Sequence, residues 1–230
     1  MRLSIVIPTL NEVERISQNV HRAFMLRPLE VVVVDGQSED GTADVARSAG
    51  ASVLVSKRGR GCQLNAGATV ASGDVLLFLH ADCWLEPDAT RQIEVALTNP
   101  DTVGGAFRQR IDHTGRVFRF LEWGNAARAR LWKLPYGDQG IFLRREVFVA
   151  VGGFAEVRLM EDVLLMRELH RRHSRIELLD GPLHVDARRW LSQGVVRQTI
   201  RNWLLLAGLR LGISPDLLAK FYVPSPVRRP

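Results

Sequence analysis

The sequence predicts an α/β fold, with a mostly parallel central sheet, helices on both faces and a helical C-terminal extension. Three observations lead to it. Short apolar runs recur at 3–7, 30–34, 52–55 and 75–79, and runs this short between turn residues read as buried strands. Between them lie stretches of helical period, such as 13–25, with Val13, Ile16, Val20, Ala23 and Phe24 on one face. The connections are short, and strand–helix alternation with short connections makes the strands parallel.

The first strand, 3–7, ends in Pro8-Thr9-Leu10-Asn11-Glu12, a loop and helix start. The second, 30–34, ends at Asp35, and the turn-rich segment 36–42 leads into a helix over 42–49 closed by Gly50. The third, 52–55, is followed by the basic glycine loop Lys57-Arg58-Gly59-Arg60-Gly61 and a helix over 62–71. The fourth, 75–79, ends in His80-Ala81-Asp82, and Leu85-Glu86-Pro87-Asp88 opens the next helix with proline and acids in its first turn. In one parallel sheet, every loop that follows a strand lies at the same edge, where open α/β sheets bind ligands. Asn11, Glu12, Asp35, Arg58, Arg60 and Asp82 are gathered there by topology.

The gathered residue types suit a nucleotide. An acid after the second strand accepts hydrogen bonds from a base or ribose; basic side chains and glycine amides meet a diphosphate. A carboxylate at the tip of a buried strand can hold a divalent ion. Asp82 as a turn cap and His80 as a packed core histidine fit this stretch equally well. A dinucleotide-binding dehydrogenase needs GxGxxG after the first strand. PTLNE has no glycine, and no P-loop pattern occurs.

The 230 residues, 46% apolar and 24% charged, fit one sizeable globular domain. Two cysteines, Cys62 and Cys83, fit a reducing cytoplasm and do not form a zinc spacing. A net charge of +6 suits anionic ligands, but no nucleic-acid module is present, so nucleic acid is not an expected partner. The N-terminal apolar run is short and breaks at Pro8, unlike a signal peptide, and no stretch reaches the ~20 apolar residues of a membrane span. A cytoplasmic location is expected, with the inner face of the membrane as an option set by the C-terminal segment.

In the second half, 88–97 reads as a helix, 103–111 as a strand and 118–132 as a helix carrying Trp123, Trp132 and several arginines. Gly137-Asp138-Gln139-Gly140 reads as a polar loop before a strand over 141–143; a plain tight turn is the alternative. Helices follow at 145–151 and 159–172, the second opened by Glu161 and Asp162, where acids alone would serve only the helix dipole. A strand over 183–187 carries His184 and Asp186, and Arg188, Arg189 and Trp190 follow at its end. Residues 191–211 read as one amphipathic helix with Trp203 and flanking arginines, followed by a basic, proline-broken tail with Pro224, Pro226, Arg228 and Arg229. Such a helix can lie on an anionic bilayer; packing on the domain or in a homodimer contact is the alternative.

The set Ile5–Glu12 (IVIPTLNE), Val33–Thr42 (VVDGQSEDGT) and Phe78–Asp82 (FLHAD) resembles the successive signatures of family 2 glycosyltransferases, which have the GT-A fold. The match continues through Gly137–Gly140 (GDQG), Gly152–Phe154 (GGF), Met160–Asp162 (MED) and Ala187–Trp190 (ARRW). It is similar in detail to a small soluble bacterial subgroup with HAD at the metal position. The resemblance implies inverting transfer of a sugar from a nucleotide-sugar, expected to be UDP-linked, to a hydroxyl acceptor, with a lipid-linked one compatible, and use of Mn²⁺ or Mg²⁺. It implies a catalytic unit over 1–190, with a nucleotide-binding half over 1–111 and an acceptor half over 112–190, and an extension over 191–230.

By the same resemblance, Asp162 with Glu161 is catalytic, Asp162 being the general base. Asp82 is the metal ligand, and His184 is placed as a second one, with packing as its alternative. The nucleotide and substrate set is Pro8, Thr9, Asn11, Glu12, Asp35, Arg58, Arg60, Asn65, Ala81, Gly137, Asp138, Gln139, Arg189 and Trp190. The family's first metal-site acid is His80 here, and His80 is expected to turn away and pack. A sugar nucleotidyltransferase would need a glycine-rich basic loop after the first strand. A non-catalytic nucleotide-sugar binding protein remains the other alternative.

Overall fold

The computed structural model describes residues 1–132 and 135–222, apart from the side chains of Trp132 and Arg189. Among them, eight strands form one sheet in the order β3-β2-β1-β4-β7-β6-β8-β5. These are β1 (Leu3–Thr9), β2 (Glu30–Asp35), β3 (Ser52–Val55), β4 (Val75–Phe78), β5 (Cys83–Leu85), β6 (Thr102–Asp112), β7 (Ile141–Arg144) and β8 (Arg175–Asp186). The half β3-β2-β1-β4 is parallel, as the alternating pattern requires. The other half is mixed: β7 runs antiparallel to β4 and β6, β5 antiparallel to β8, and β6 parallel to β8.

Helices cover both sheet faces, which is why the parallel strands are apolar throughout rather than alternating. On one face, Ile5, Ile7, Val31, Val33 and Leu77 pack with Ile16, Val20 and Ala23 of α1 (Val13–Met25). On the other, Val6, Val32, Val34, Leu76 and Phe78 meet α3 (Arg60–Val70) and α7 (Glu161–Arg171). Gly67 sets how closely α3 lies on the sheet. A Cβ there would come within 2.4 Å of Val6 Cγ1 and 2.8 Å of Val34 Cγ2. The remaining helices are α2 (Thr42–Ser48), α4 (Ala89–Ala96), α5 (Arg116–Trp132), α6 (Arg145–Ala150), α8 (Arg188–Gln193), α9 (Val195–Arg210) and α10 (Pro215–Leu218).

The structure departs from the sequence reading in four places. Leu85 does not open a helix. Cys83 and Leu85 are buried with Trp84 less so, a period of two, and the segment pairs with β8 while α4 starts at Ala89. β8 spans twelve residues rather than five, because a register shift at Phe107/Gln109 accommodates the Gly181-Pro182 interruption. Residues Gly137–Gln139 form a 3-10 turn, the tight-turn alternative for that segment, rather than a polar loop. The C-terminal helix is broken at Gly194, whose φ of 82° suits glycine, and Arg188–Trp190 sit in α8 rather than at a strand end. The proline-broken tail lies outside the described residues, and no helix among the described residues is long and apolar enough to cross a membrane.

Candidate active site

The C-terminal ends of β1, β2 and β4 lie side by side, since β1 pairs with both others in parallel. The antiparallel β7 begins at that same edge, with Ile141 opposite Phe78. The turn just before β7 is therefore delivered to the tip of β4. This is how Gly137, 57 positions along from His80 in the chain, becomes its neighbour.

At the end of β2, Asp35 is buried. Its carboxylate accepts the Ser38 N–H at 2.8 Å and the Ser38 hydroxyl at 2.5 Å. Ser38 Oγ in turn accepts the Asn11 N–H at 2.8 Å, and Asn11 Oδ1 accepts the Glu39 N–H at 3.0 Å. The loops after β1 and β2 are thus tied into one frame. Gln63 of α3 closes it from beneath, donating Nε2 to the carbonyls of Thr9 and Val34 at 2.9 and 2.8 Å. Thr9 itself is buried, and its hydroxyl has no partner among the described residues.

At the end of β4, one donor atom each from His80, Asp82 and Cys83 lies within 4.8 Å of the others. His80 does not turn away as expected: a Cβ on Gly137 would sit 2.9 Å from His80 Nε2 and 3.1 Å from Asp162 Oδ2. One missing side chain lets the imidazole and the Asp162 carboxylate approach a common space. Asp162 is held there by two backbone donors, the Gly137 N–H to Oδ2 at 2.6 Å and the Val163 N–H to Oδ1 at 2.7 Å.

The family model described as "Glycosyl transferase family 2" matches residues 4–160, across all of these elements up to the start of α7. The chain belongs to that family. Its curated relatives include glycosyltransferase AglE of Haloferax volcanii, 31% identical over 119 residues, covering 45% of this chain and 38% of the relative. The undecaprenyl-phosphate 4-deoxy-4-formamido-L-arabinose transferase of Serratia proteamaculans is 30% identical over 165 residues, covering 62% and 48%. The chain thus spans less than half the length of these two relatives. Among solved structures, S. aureus TarS in complex with UDP-GlcNAc superposes with a TM-score of 0.63 at 17% identity, over 81% of this chain and 58% of that one. Glucosyl-3-phosphoglycerate synthase from Mycobacterium tuberculosis, solved with Mn²⁺, UDP and glucosyl-3-phosphoglycerate, gives 0.59 at 22% identity over 80% and 70%. These likenesses show the fold, which is GT-A.

Within this family 2 scaffold, Arg60–Glu161 and Glu12–Arg188 are among the charge pairs that link the first half to the last. Arg60 Nη1 meets Glu161 Oε1 at 3.0 Å, with the Glu161 side chain only 2% exposed. Burial pushes the Glu161 carboxyl above its ordinary range and Arg60 opposes the shift. Glu12 Oε1 meets Arg188 Nη2 at 2.6 Å, and burial likewise raises the Glu12 carboxyl against the pull of Arg188. Arg188 also feels Asp82 and Asp186. It lies beside the candidate site, and the sequence reading passed over it in favour of its neighbours, although the doubled arginine offered either. The side chain of Arg189 lies outside the described residues.

Other expected site residues are placed elsewhere or spent on the scaffold. His184 is not in the His80–Asp82–Cys83 group: it bonds Glu86 at 2.9 Å and stacks on Trp84 at 5.1 Å, opposite it in the β5–β8 ladder. Trp190 is buried in the main core. Asn65 exchanges both amide groups with the Phe154 backbone, at 2.8 and 2.9 Å. Gln139 is fully buried; its Oε1 accepts from the Tyr136 N–H and from Arg128, and its Nε2 donates to the Phe107 carbonyl. The Ala81 carbonyl accepts from Asn19. Asp138 accepts from Gln109 at 3.0 Å, and Arg58 pairs with Glu39 at the exposed rim. Pro8 lies within β1.

Proposed function

We propose that this chain is an inverting glycosyltransferase that moves a sugar from a UDP-sugar to the hydroxyl of a lipid-linked acceptor. The observation that carries the reading is the approach of the Asp162 carboxylate and the His80 imidazole to one space over Gly137, with Asp82 grouped beside His80. A carboxylate that can accept a proton then stands beside groups that can hold a diphosphate. The name of the Serratia relative supports a lipid-linked acceptor, and the ligands of the TarS and mycobacterial structures support a uridine nucleotide.

In this reading the base and ribose meet the frame of Pro8, Thr9, Asn11, Glu12 and Asp35, with Arg58 and Arg60 toward the diphosphate. Asp162 takes the acceptor's proton as the acceptor oxygen bonds to the anomeric carbon; the carbon–oxygen bond to the diphosphate breaks, and UDP leaves with the electron pair. No second flanking carboxylate is needed, because the leaving group is already stable, unlike that of a glycosidase. Residues 1–111 supply the donor side, 112–190 the acceptor side and 191–230 an extension.

A divalent ion fits the residues present. Two donors to one ion, each about 2.1–2.3 Å from it, lie up to about 4.6 Å apart, close to the spread of this group. Asp82 suits Mg²⁺ or Mn²⁺, while the His80 imidazole favours Mn²⁺. When bound, the ion supplies positive charge against the departing diphosphate.

Calorimetry of UDP, GDP and CDP, each with Mn²⁺ and with EDTA, tests the reading. UDP is expected to bind best, and to weaken at least about tenfold on chelation or in Asp82→Ala. Absence of binding by every nucleotide would overturn it. A second measurement probes the shared space: Gly137→Ala, whose methyl group would press on both His80 and Asp162, should lower turnover by about 10²-fold through misplacement alone. Wild-type turnover in that variant would show that the two groups need not share this space.

A further inference from the structure

Two helices carry apolar stripes that no described residue covers. On α9 and its C-cap residue, Val196, Ile200, Trp203, Leu204 and Leu211 are 66%, 56%, 73%, 67% and 83% exposed. At about 100° per residue they fall within a band of about 100°. Arg197 and Arg210 border that band on opposite sides, and both are exposed. On α5, Val117, Phe120, Trp123 and Leu131 form a second exposed stripe, with Phe120 at 69%, Trp123 at 66% and Leu131 at 78%. Arg116 and Arg130 accompany it.

The two helices are bridged through Tyr136 beside the candidate site. Arg128 of α5 stacks its guanidinium 3.3 Å from the Tyr136 ring centroid. Tyr136 packs against the cluster of Leu205 and Leu209 from α9 with Leu159, Met160 and Val163 beside Asp162. Helices α5 and α9 thus flank the turn that carries Gly137.

We propose that α9 and α5 together dock this protein on an anionic lipid bilayer. Single exposed apolar residues are ordinary on a protein surface, but continuous stripes of Trp, Phe and Leu edged by arginine are what an interfacial helix presents. The charge pattern selects the occupant. Between Asp186 and Asp216 the sequence has five arginines and no acidic residue. A second copy pairing through α9 about a two-fold axis would set arginine against arginine with no acid on the helix to meet either. Anionic headgroups meet them directly. The inference rests on the lipid-linked acceptor proposed above and deepens it: the acceptor would be taken from the surface on which the site's mouth is seated.

The full chain should float with vesicles of phosphatidylcholine mixed with phosphatidylglycerol, bind phosphatidylcholine alone far more weakly, and be released by salt. Trp203→Glu and Trp123→Glu should each lower partitioning by about tenfold or more, with unchanged far-ultraviolet circular dichroism and unchanged UDP affinity. Equal binding to both vesicle types, no binding to either, or a solution dimer dissolved by Trp203→Glu would overturn the proposal. Vesicle failure with intact UDP binding overturns the membrane surface alone, whereas loss of UDP binding in the wild type overturns the donor reading.

Discussion

Replacing Asp162 with asparagine is expected to lower turnover by about 10³-fold, within the range that loss of a general base gives, while UDP affinity stays essentially unchanged. The substitution isolates the proton-accepting role. Asparagine keeps the shape and leaves one oxygen able to accept either the Gly137 or the Val163 N–H, which now hold the two carboxylate oxygens at 2.6 and 2.7 Å. What it loses is the capacity to take a proton from the acceptor. Steady-state kinetics should therefore show a fall in kcat with little change in KM for the donor. A variant that turns over like the wild type would remove Asp162 from the chemistry.

Arg60→Met is expected to give the largest loss of stability. It removes the counter-charge from Glu161, whose side chain is 2% exposed. Breaking a fully buried pair from one side costs about 3–5 kcal/mol. Arg60 is itself 34% exposed, so water screens part of the pair, and about 2 kcal/mol is the expected cost. That corresponds to a fall in Tm of about 4–8 °C for a chain of this size.

The pH dependence of that loss has a definite sign. Burial already raises the folded Glu161 carboxyl above the ordinary 4.5 of the unfolded chain, and Arg60 restrains the rise. Between those two values the folded state holds a proton that the unfolded state has released, so stability falls as pH rises through the window. Removing Arg60 moves the upper limit further up. The deficit of the variant should be greatest above the raised value and shrink as pH falls toward 4.5. Urea denaturation across that range measures it; a deficit that grows on acidification would mean that Glu161 is ionised and well solvated without Arg60.

The parallel half of the sheet was legible because each strand is a short apolar run that ends in a polar residue, and the structure places β1 to β4 within a residue or two of those runs. The rest was harder for physical reasons. β8 is partly exposed along its first half and interrupted by Gly181-Pro182, so neither period nor composition announces it. The residues of the site fall into the same two groups. Asp35 and Asp82 stand at the ends of legible strands, so topology alone brought them to one edge. His80 was misjudged because its neighbour across the space, Gly137, arrives through an antiparallel strand that no local pattern specifies. Trp190 illustrates the converse: an aromatic next to two arginines looks like a binding residue, but α8 turns it into the core.

The Glu12–Arg188 pair joins residues 176 positions apart, and Arg60–Glu161 joins residues 101 apart. During synthesis the parallel half can pair its strands long before either arginine–carboxylate contact can be complete. Until α8 emerges, Glu12 sits at the edge of that half without its cation. No short fragment of the chain contains both pairs, so tight nucleotide binding would report not on a local motif but on closure of nearly the entire polypeptide.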